Sequence, residues 1–256
     1  MKISIITATY NSGKTIRDTL DSVLNQTHPD IEYIIKDGGS EDDTLAICRE
    51  YEPLFKGKMQ IISSSDKGLY DAINIGIKAA SGDVVGILNS DDFFHRKDIL
   101  KTINDIFALN PTIDGLYGDA TVVAEHDINK TVRYTRSKYF KLWMFKIGLM
   151  PPHPSFYVRR ECFEKYGYYN PAYKIAADFD LMTRFMLVNK IKTAYLPIPI
   201  LTMRDGGMST SLRNKKLLNK EEVRAWRDNG LKHPSFFVLF KYPIRLLELF
   251  LNKGRK

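Results

Sequence analysis

The sequence predicts an α/β protein: a Rossmann-type, mostly parallel sheet flanked by helices, with a helical appendage at the C-terminus. Three observations predict it. Strand-like and helix-like segments alternate four times in about ninety residues, which calls for right-handed βαβ units. The apolar run Val84-Val85-Gly86-Ile87-Leu88 ends in Asn89-Ser90-Asp91-Asp92, as a buried parallel strand does when it delivers acidic side chains to its carboxyl end. From Ser209 onward the chain becomes basic and apolar, marking a change of role.

Lys2–Ala8 reads as the first strand, closed by Thr9-Tyr10-Asn11-Ser12-Gly13. Ser12 or Asn11 caps a helix with apolar positions at Ile16, Leu20, Val23 and Leu24, and Pro29 stops it. Ile31–Lys36 is the second strand. It ends in Asp37-Gly38-Gly39-Ser40, where two glycines let the backbone approach a ligand and Ser40 starts the next helix. Met59–Ser63 is the third, leading through Ser64-Ser65-Asp66-Lys67-Gly68 into a helix that carries Leu69, Tyr70, Asp71, Asn74 and Ile77. The fourth is the run that ends in Asp91 and Asp92. These strand ends form a row on one edge, where chemistry sits in an open α/β sheet. Adjacent aspartates repel unless something positive lies beside them. A hard divalent ion carrying a diphosphate meets that need, while capping a helix over Arg96-Lys97-Asp98-Ile99-Leu100 is the competing role.

Beyond residue 95 the character changes. Asp114–Glu125 and Thr131–Tyr134 read as strands of a mixed sheet, with Gly118 permitting a bend. Prolines 151, 152 and 154 set the entry of a short strand around His153, which either touches a substrate, assigned as the acceptor, or satisfies local backbone groups. Asp178 and Asp180 stand at the start of a helix carrying Leu181, Phe185, Met186 and Val188. Asp180 reads as first-turn dipole stabilisation or an acceptor contact. In Arg204-Asp205-Gly206-Gly207, consecutive free N–H groups can make an anion nest to which Arg204 adds charge, or simply turn the chain from strand to helix.

Composition narrows the function. With 256 residues, 44% of them hydrophobic, the chain buries a full core. Cys48 and Cys162 form no CxxC pair and the histidines are scattered, so buried thiols are expected and no zinc site. The early apolar run, Ile3 to Ile6, is too short for a signal peptide, so a cytoplasmic protein is expected. The net charge of +8 lies wholly after residue 208, where 12 Lys and Arg face 4 acidic residues. A second basic stretch, 130–160, contains no acidic residue and interleaves Tyr134, Tyr139, Phe140, Trp143 and Phe145. Such patches suit nucleic acid or an anionic membrane. No RNP, KH or zinc-finger pattern supports nucleic acid, and no GxGxxG or GxxxxGK[ST] supports dinucleotide or P-loop chemistry.

Four segments together carry a resemblance: Ile5-Ile6-Thr7-Ala8-Thr9-Tyr10-Asn11, Asp37-Gly38-Gly39-Ser40, Asp66-Lys67-Gly68-Leu69-Tyr70-Asp71-Ala72-Ile73-Asn74 and Asn89-Ser90-Asp91-Asp92. In this order the chain resembles family 2 glycosyltransferases of the GT-A fold over about residues 1–210. The resemblance implies a nucleotide-binding half at about 1–95 and an acceptor-binding half at 96–208, while the charge pattern sets apart a basic tail at 209–256. It implies that Thr9, Tyr10, Asn11, Asp37, Asp66 and Asp91 face the nucleotide-sugar donor, and that Asp92 holds Mn2+ or Mg2+. It further implies that Gly206 and Gly207 close over the diphosphate and that Asp178 is the catalytic base. Ala177 departs from the family, which usually carries Glu there. Structural roles compete at several positions: Asp37 as a turn residue, Asp66 and Asp178 as caps, Asn74 as a satisfied amide.

A single base opposite a metal-bound leaving group implies direct displacement with inversion. A nucleic-acid-binding protein and a sugar-nucleotide-binding pseudo-enzyme are the alternatives. In the tail, Lys241, Arg245, Glu248 and Asn252 fall on one helical stripe amid apolar residues, too charged to span a bilayer. The apolar face either packs on the catalytic domain or lies in an anionic membrane surface at the inner face of the cell membrane, which favours a lipid-linked saccharide as acceptor.

Overall fold

The structure, a computed structural model, describes residues 1–206, 214–232 and 241. The first half repeats strand and helix: β1 (Ile3–Thr9), α1 (Ile16–Leu24), β2 (Ile31–Asp37), α2 (Thr44–Tyr51), β3 (Met59–Ser63), α3 (Leu69–Ala79) and β4 (Val84–Ile87). A two-residue strand, β5 (Phe93–Phe94), follows the acidic pair, then α4 (Ile99–Leu109). The second half contains β6 (Gly115–Ala124), β7 (Asp127–Thr135), β8 (Tyr157–Arg159), α5 (Glu161–Tyr166), α6 (Ala177–Met182), a π-helical turn at Thr183–Val188, β9 (Thr193–Arg204) and α7 (Lys215–Asp228).

The sheet runs β3-β2-β1-β4-β8-β6-β9-β5, with β7 paired to β6. β1 to β4 are mutually parallel, β9 runs parallel to β6, and β8, β7 and β5 are antiparallel to their partners. β1, β2 and β4 are buried on both faces, which explains their largely apolar runs, whereas β3 lies at the sheet edge and is partly exposed. Ile3 and Ile5 of β1 pack with Leu20 of α1, Ile47 of α2 and Phe107 of α4, while Ile6 and Ala8 meet α3 and α6 on the other face. Two glycines are fixed by close approach. A Cβ on Gly86 would lie 2.1 Å from the Tyr157 ring across the β4–β8 ladder. One on Gly118 would lie 2.7 Å from Ile200, where the β6–β9 register shifts, so the expected bend is present.

Helix starts differ from the sequence reading. α1 begins after Thr15 with no side-chain cap, and Ser12 contributes its carbonyl rather than its hydroxyl. α2 begins after Asp43 rather than at Ser40, because Ser40 is engaged by Asp37. α7, drawn with the tail, lies in the main core: Leu218, Ala225 and Trp226 belong to the cluster that contains α3 and α6. Lys241, expected on a polar stripe, is buried in an ion pair with Glu222 at 2.5 Å. The rest of the tail stripe, Arg245, Glu248 and Asn252, lies outside the described residues, as does Gly207. Both cysteines are buried free thiols. No helix among the described residues is long and apolar enough to cross a membrane.

Candidate active site

The carboxyl ends of β1, β2 and β3 form one knot of hydrogen bonds. Thr9 ends β1 buried, its hydroxyl without a partner, and Tyr10 projects with 60% of its surface exposed. Asn11 takes a left-handed backbone (φ 50°) that its short side chain tolerates, and it accepts the Glu41 N–H at 2.9 Å. Gly38 donates to the Thr9 carbonyl at 2.9 Å, and a Cβ on it would lie 3.0 Å from Asp66, so glycine brings the second and third strand ends together.

Asp37 is wholly buried and accepts from Gly39 N–H (3.1 Å), Ser40 N–H (3.2 Å), Ser40 Oγ (2.5 Å) and Ser63 Oγ (2.8 Å). Burial would push its carboxyl up, but the bonds from Ser40, Ser63 and Gly39 outweigh it and hold it below the usual range. Asp66 pairs with Lys36 at 2.9 Å and takes the Gly68 N–H at 2.9 Å. Lys36 is fully buried and also donates to the carbonyls of Asp37 (2.7 Å) and Ser64 (2.6 Å), closing the knot from beneath.

The fourth strand end is different. Asp91 and Asp92 stand in the turn between β4 and β5, and neither forms an ion pair among the described residues. Burial raises the Asp91 carboxyl, with Arg204 opposing. Burial and then the charge of Asp91 raise buried Asp92 well above the usual range, against the Asn89 amide donated at 2.8 Å. The backbone here is firmly held: Thr19 Oγ1 donates to the Asp92 carbonyl at 2.7 Å and Arg204 to the Asp91 carbonyl at 2.5 Å. Arg204 also pairs with Asp18, so its guanidinium braces the acidic turn rather than extending over a diphosphate. Two carboxylates short of positive charge fit Mg2+ or Mn2+, which take one or two carboxylates and leave positions for phosphate oxygens. The described residues contain no group of three His, Cys, Asp or Glu that would make a closed cage. Gly206 lies nearby on an exposed turn in a left-handed conformation (φ 103°).

In the second half, Asp178 is half-buried in the first turn of α6. Burial pushes its carboxyl up to about 7, opposed by the Phe179 N–H bond at 2.7 Å and aided by the charges of Glu222 and Glu221. It therefore titrates where a general base works best. Asp180 has both oxygens engaged, one with Arg184 at 3.1 Å and one with Asn229 at 2.7 Å, so it ties α6 to α7. His153 bonds the Tyr169 hydroxyl at 2.6 Å, and burial lowers its ring to about 4, leaving it neutral. Asn74 is the satisfied amide foreseen, exchanging bonds with the Tyr169 backbone at 2.7 and 3.0 Å.

The halves meet where the Tyr70 hydroxyl donates to the Ile175 carbonyl at 2.5 Å, joining the segment after Asp66 to the one before Asp178. The structure also brings in residues that the sequence reading did not weigh. Lys36 was signalled by directly following the apolar run Tyr33-Ile34-Ile35 inside β2. Glu221 and Glu222 were signalled by standing together in a strongly basic segment.

Known proteins resemble this chain in sequence and in fold. A PGL/p-HBAD biosynthesis glycosyltransferase of Mycobacterium bovis (strain BCG / Pasteur 1173P2) is 29% identical over 220 residues, covering 85% of this chain and 82% of its own length. An uncharacterized glycosyltransferase of Mycobacterium tuberculosis (strain CDC 1551 / Oshkosh) is 31% identical over 191 residues, 73% of this chain and 69% of its own. Among solved structures, S. aureus TarS 1-349 in complex with UDP-GlcNAc superposes with a TM-score of 0.70 at 20% identity, over 88% of this chain and 66% of that one. The mannosyltransferase PcManGT from Pyrobaculum calidifontis, in complex with GDP-Man and Mn2+, gives 0.63 at 16% identity, over 87% and 64%. This chain thus spans just under two thirds of those solved chains, and the likeness establishes a GT-A type fold. The sequence model of glycosyl transferase family 2 matches residues 4–167, from β1 through α5, and the chain therefore belongs to that family and is a glycosyltransferase.

Proposed function

We propose that this glycosyltransferase moves a sugar from a nucleoside-diphosphate sugar, with UDP as the carrier nucleotide, to a hydroxyl of a saccharide acceptor, with inversion at the anomeric carbon. The observation that carries the reading is two sets of carboxyls with raised pKa, Asp91 and Asp92 after β4 and Asp178 at the start of α6. Asp91 and Asp92 form no ion pair among the described residues and their carboxyls are raised, while Asp178 titrates near neutrality beyond the Tyr70–Ile175 contact. Tyr10 offers an exposed ring to the nucleoside, and the Thr9 hydroxyl and Asn11 line the same edge. Asp92, with Asp91 beside it, would hold Mg2+ or Mn2+, which when bound neutralises the leaving nucleoside diphosphate. Asp178 Oδ takes the acceptor hydroxyl's proton as that oxygen attacks the face opposite the nucleotide. Asp37 and Asp66 shape the nucleoside wall through the bonds they already make. Gly206, with Gly207 beyond the described residues, closes the donor side.

The experiment is nucleoside diphosphate release from UDP-GlcNAc, UDP-glucose and GDP-mannose with Mn2+ and a panel of saccharides. The reading expects at least one donor to be consumed only when acceptor is present, and consumption of none in any pairing overturns it.

We also infer that the acceptor is lipid-linked and presented at an anionic membrane, with the enzyme peripheral at its inner face. Tyr139, Trp143 and Leu142 are 73%, 50% and 42% exposed, among Lys138, Lys141 and Lys146 and far from any acidic residue in sequence. Beneath them Phe145 packs on Phe179, beside Asp178, at 5.8 Å between ring centroids. Cationic and aromatic side chains together suit an anionic interface. Flotation with phosphatidylglycerol-containing vesicles is expected for the intact chain and to weaken several-fold in Tyr139→Ser/Trp143→Ser; equal flotation with neutral phosphatidylcholine vesicles would contradict the electrostatic part.

A further inference from the structure

We propose that Glu221, on α7, is a positioning residue for the acceptor base: its carboxylate fixes the backbone turn that delivers Asp178. This deepens the function proposed above and rests on Asp178 being the base.

Three consecutive backbone N–H groups converge on this one side chain. Lys174 N–H donates to Oε1 at 2.9 Å, and Ile175 and Ala176 N–H donate to Oε2 at 2.8 and 3.0 Å. These amides immediately precede α6, where N–H groups have no intrahelical acceptor, and a negative charge there also complements the helix dipole. Glu221 is only 7% exposed, so water does not substitute for it. The residue at the centre of the turn is gripped from two directions. Its N–H is held by Glu221 from α7, and its carbonyl by the Tyr70 hydroxyl from α3 at 2.5 Å. Three residues later the chain presents Asp178, and Phe179 locks the next position against Phe145. Buried, multiply bonded turns of this kind set a reacting group to within the fraction of an ångström that catalysis requires.

The neighbouring acid shows why this one is distinctive. Glu222 has Lys241 against it at 2.5 Å, both side chains buried, while Glu221 is met by backbone dipoles. The titratable groups bearing on Asp178 are Glu221 and Glu222 of α7, with Lys241 paired to the latter, Tyr70 of α3 and Tyr169. α7 lies beyond residues 4–167, so the part of the chain matched to the family ends before the residue that fixes its base turn.

The test is Glu221→Gln in the full chain, assayed with the donor and acceptor that the panel above identifies. Glutamine keeps the size but loses the charge and turns an N–H2 toward the donors. We expect kcat to fall about 10- to 100-fold, nucleotide-sugar Kd to stay within about twofold, and the pH midpoint of kcat to move down as a negative neighbour disappears. A folded Glu221→Gln with wild-type kcat and midpoint overturns the proposal. If Glu221→Gln fails to fold, Glu221→Asp keeps the charge and withdraws it by one methylene: a lowered kcat with faster amide exchange at residues 174–176 supports the proposal, and wild-type values of both overturn it. Asp178→Asn separates the two levels. If it retains full transfer, the base assignment falls and this inference with it; if it is inactive while Glu221→Gln is normal, only this inference falls.

Discussion

Two parts of the candidate site are built from aspartates at or near the ends of regular elements and treat them in opposite ways. On the β2–β3 side, Asp37 receives bonds from Gly39, Ser40 and Ser63, and Asp66 is matched to buried Lys36. On the β4 and α6 side, Asp91, Asp92 and Asp178 are buried or half-buried with their carboxyls raised. A carboxylate whose charge the protein has already compensated is a structural joint, whereas one left raised is held ready for a charge or a proton from outside.

The largest effect expected from this contrast is at Asp178. Asp178→Asn keeps the shape and removes the base, so transfer should drop about 10²- to 10⁴-fold while nucleotide-sugar binding, followed by calorimetry, persists. Asp180→Asn should be far milder, and the reverse ranking would show that the wrong carboxylate has been chosen. Stability should move the other way. The folded carboxyl titrates near 7, above its unfolded value, so its contribution is complete in acid and lost as pH rises through about 7. At pH 8 the Asn variant should therefore melt higher than the parent, by about 2–4 °C for each kcal/mol recovered in a chain of this size.

Asp92→Asn comes next, with metal-dependent transfer lowered by about 10² or more and excess chelator doing the same to the parent. Full activity in either case would erase the difference between the two sides. A pH series gives a gentler view: with Asp178 as the proposed base, kcat should rise through about 7 and level off above it as that carboxyl ionises. The smallest catalytic effect is expected at Asp37. Asp37→Asn should cost about 1–3 kcal/mol of stability, as bonded donors lose their anionic acceptor, with little change in kcat for the folded fraction. Its folded carboxyl lies below the unfolded value, so that deficit should be present at neutral pH and shrink in acid. Chemical denaturation at pH 7 and pH 3 measures it.

Much of this was legible in the sequence because buried parallel strands write themselves as apolar runs ending in polar residues. β1 to β4 follow from that rule, as do the positions of Asp37, Asp66, Asp91 and Asp92 at or just past strand ends, while Asp178 was legible as an acidic residue at a helix start. What escaped reading was pairing across distance. Nothing local reveals that Ser40 serves Asp37 rather than a helix start, or that Arg204 braces Asp91 and Asp18. The role of α7 was hidden for a further reason. Its charged residues suggest a solvated tail, but the few apolar ones, Leu218, Ala225 and Trp226, point into the core and carry Glu221 and Glu222 in with them.

The pairing of β5 with β9 also dictates when the enzyme becomes competent. Phe93 and Phe94, directly after the acidic pair, find their ladder partners only at Thr202 and Leu201, and Arg204 reaches back to the same turn. On the ribosome the early βαβ units can assemble as they emerge, but the Asp91–Asp92 turn lacks its brace until the segment bearing Asp178 has already been made. At ordinary elongation rates of roughly 5–20 residues per second, that delay is on the order of ten seconds. The nascent chain thus completes the Asp91–Asp92 turn only after the segment bearing Asp178 has been made.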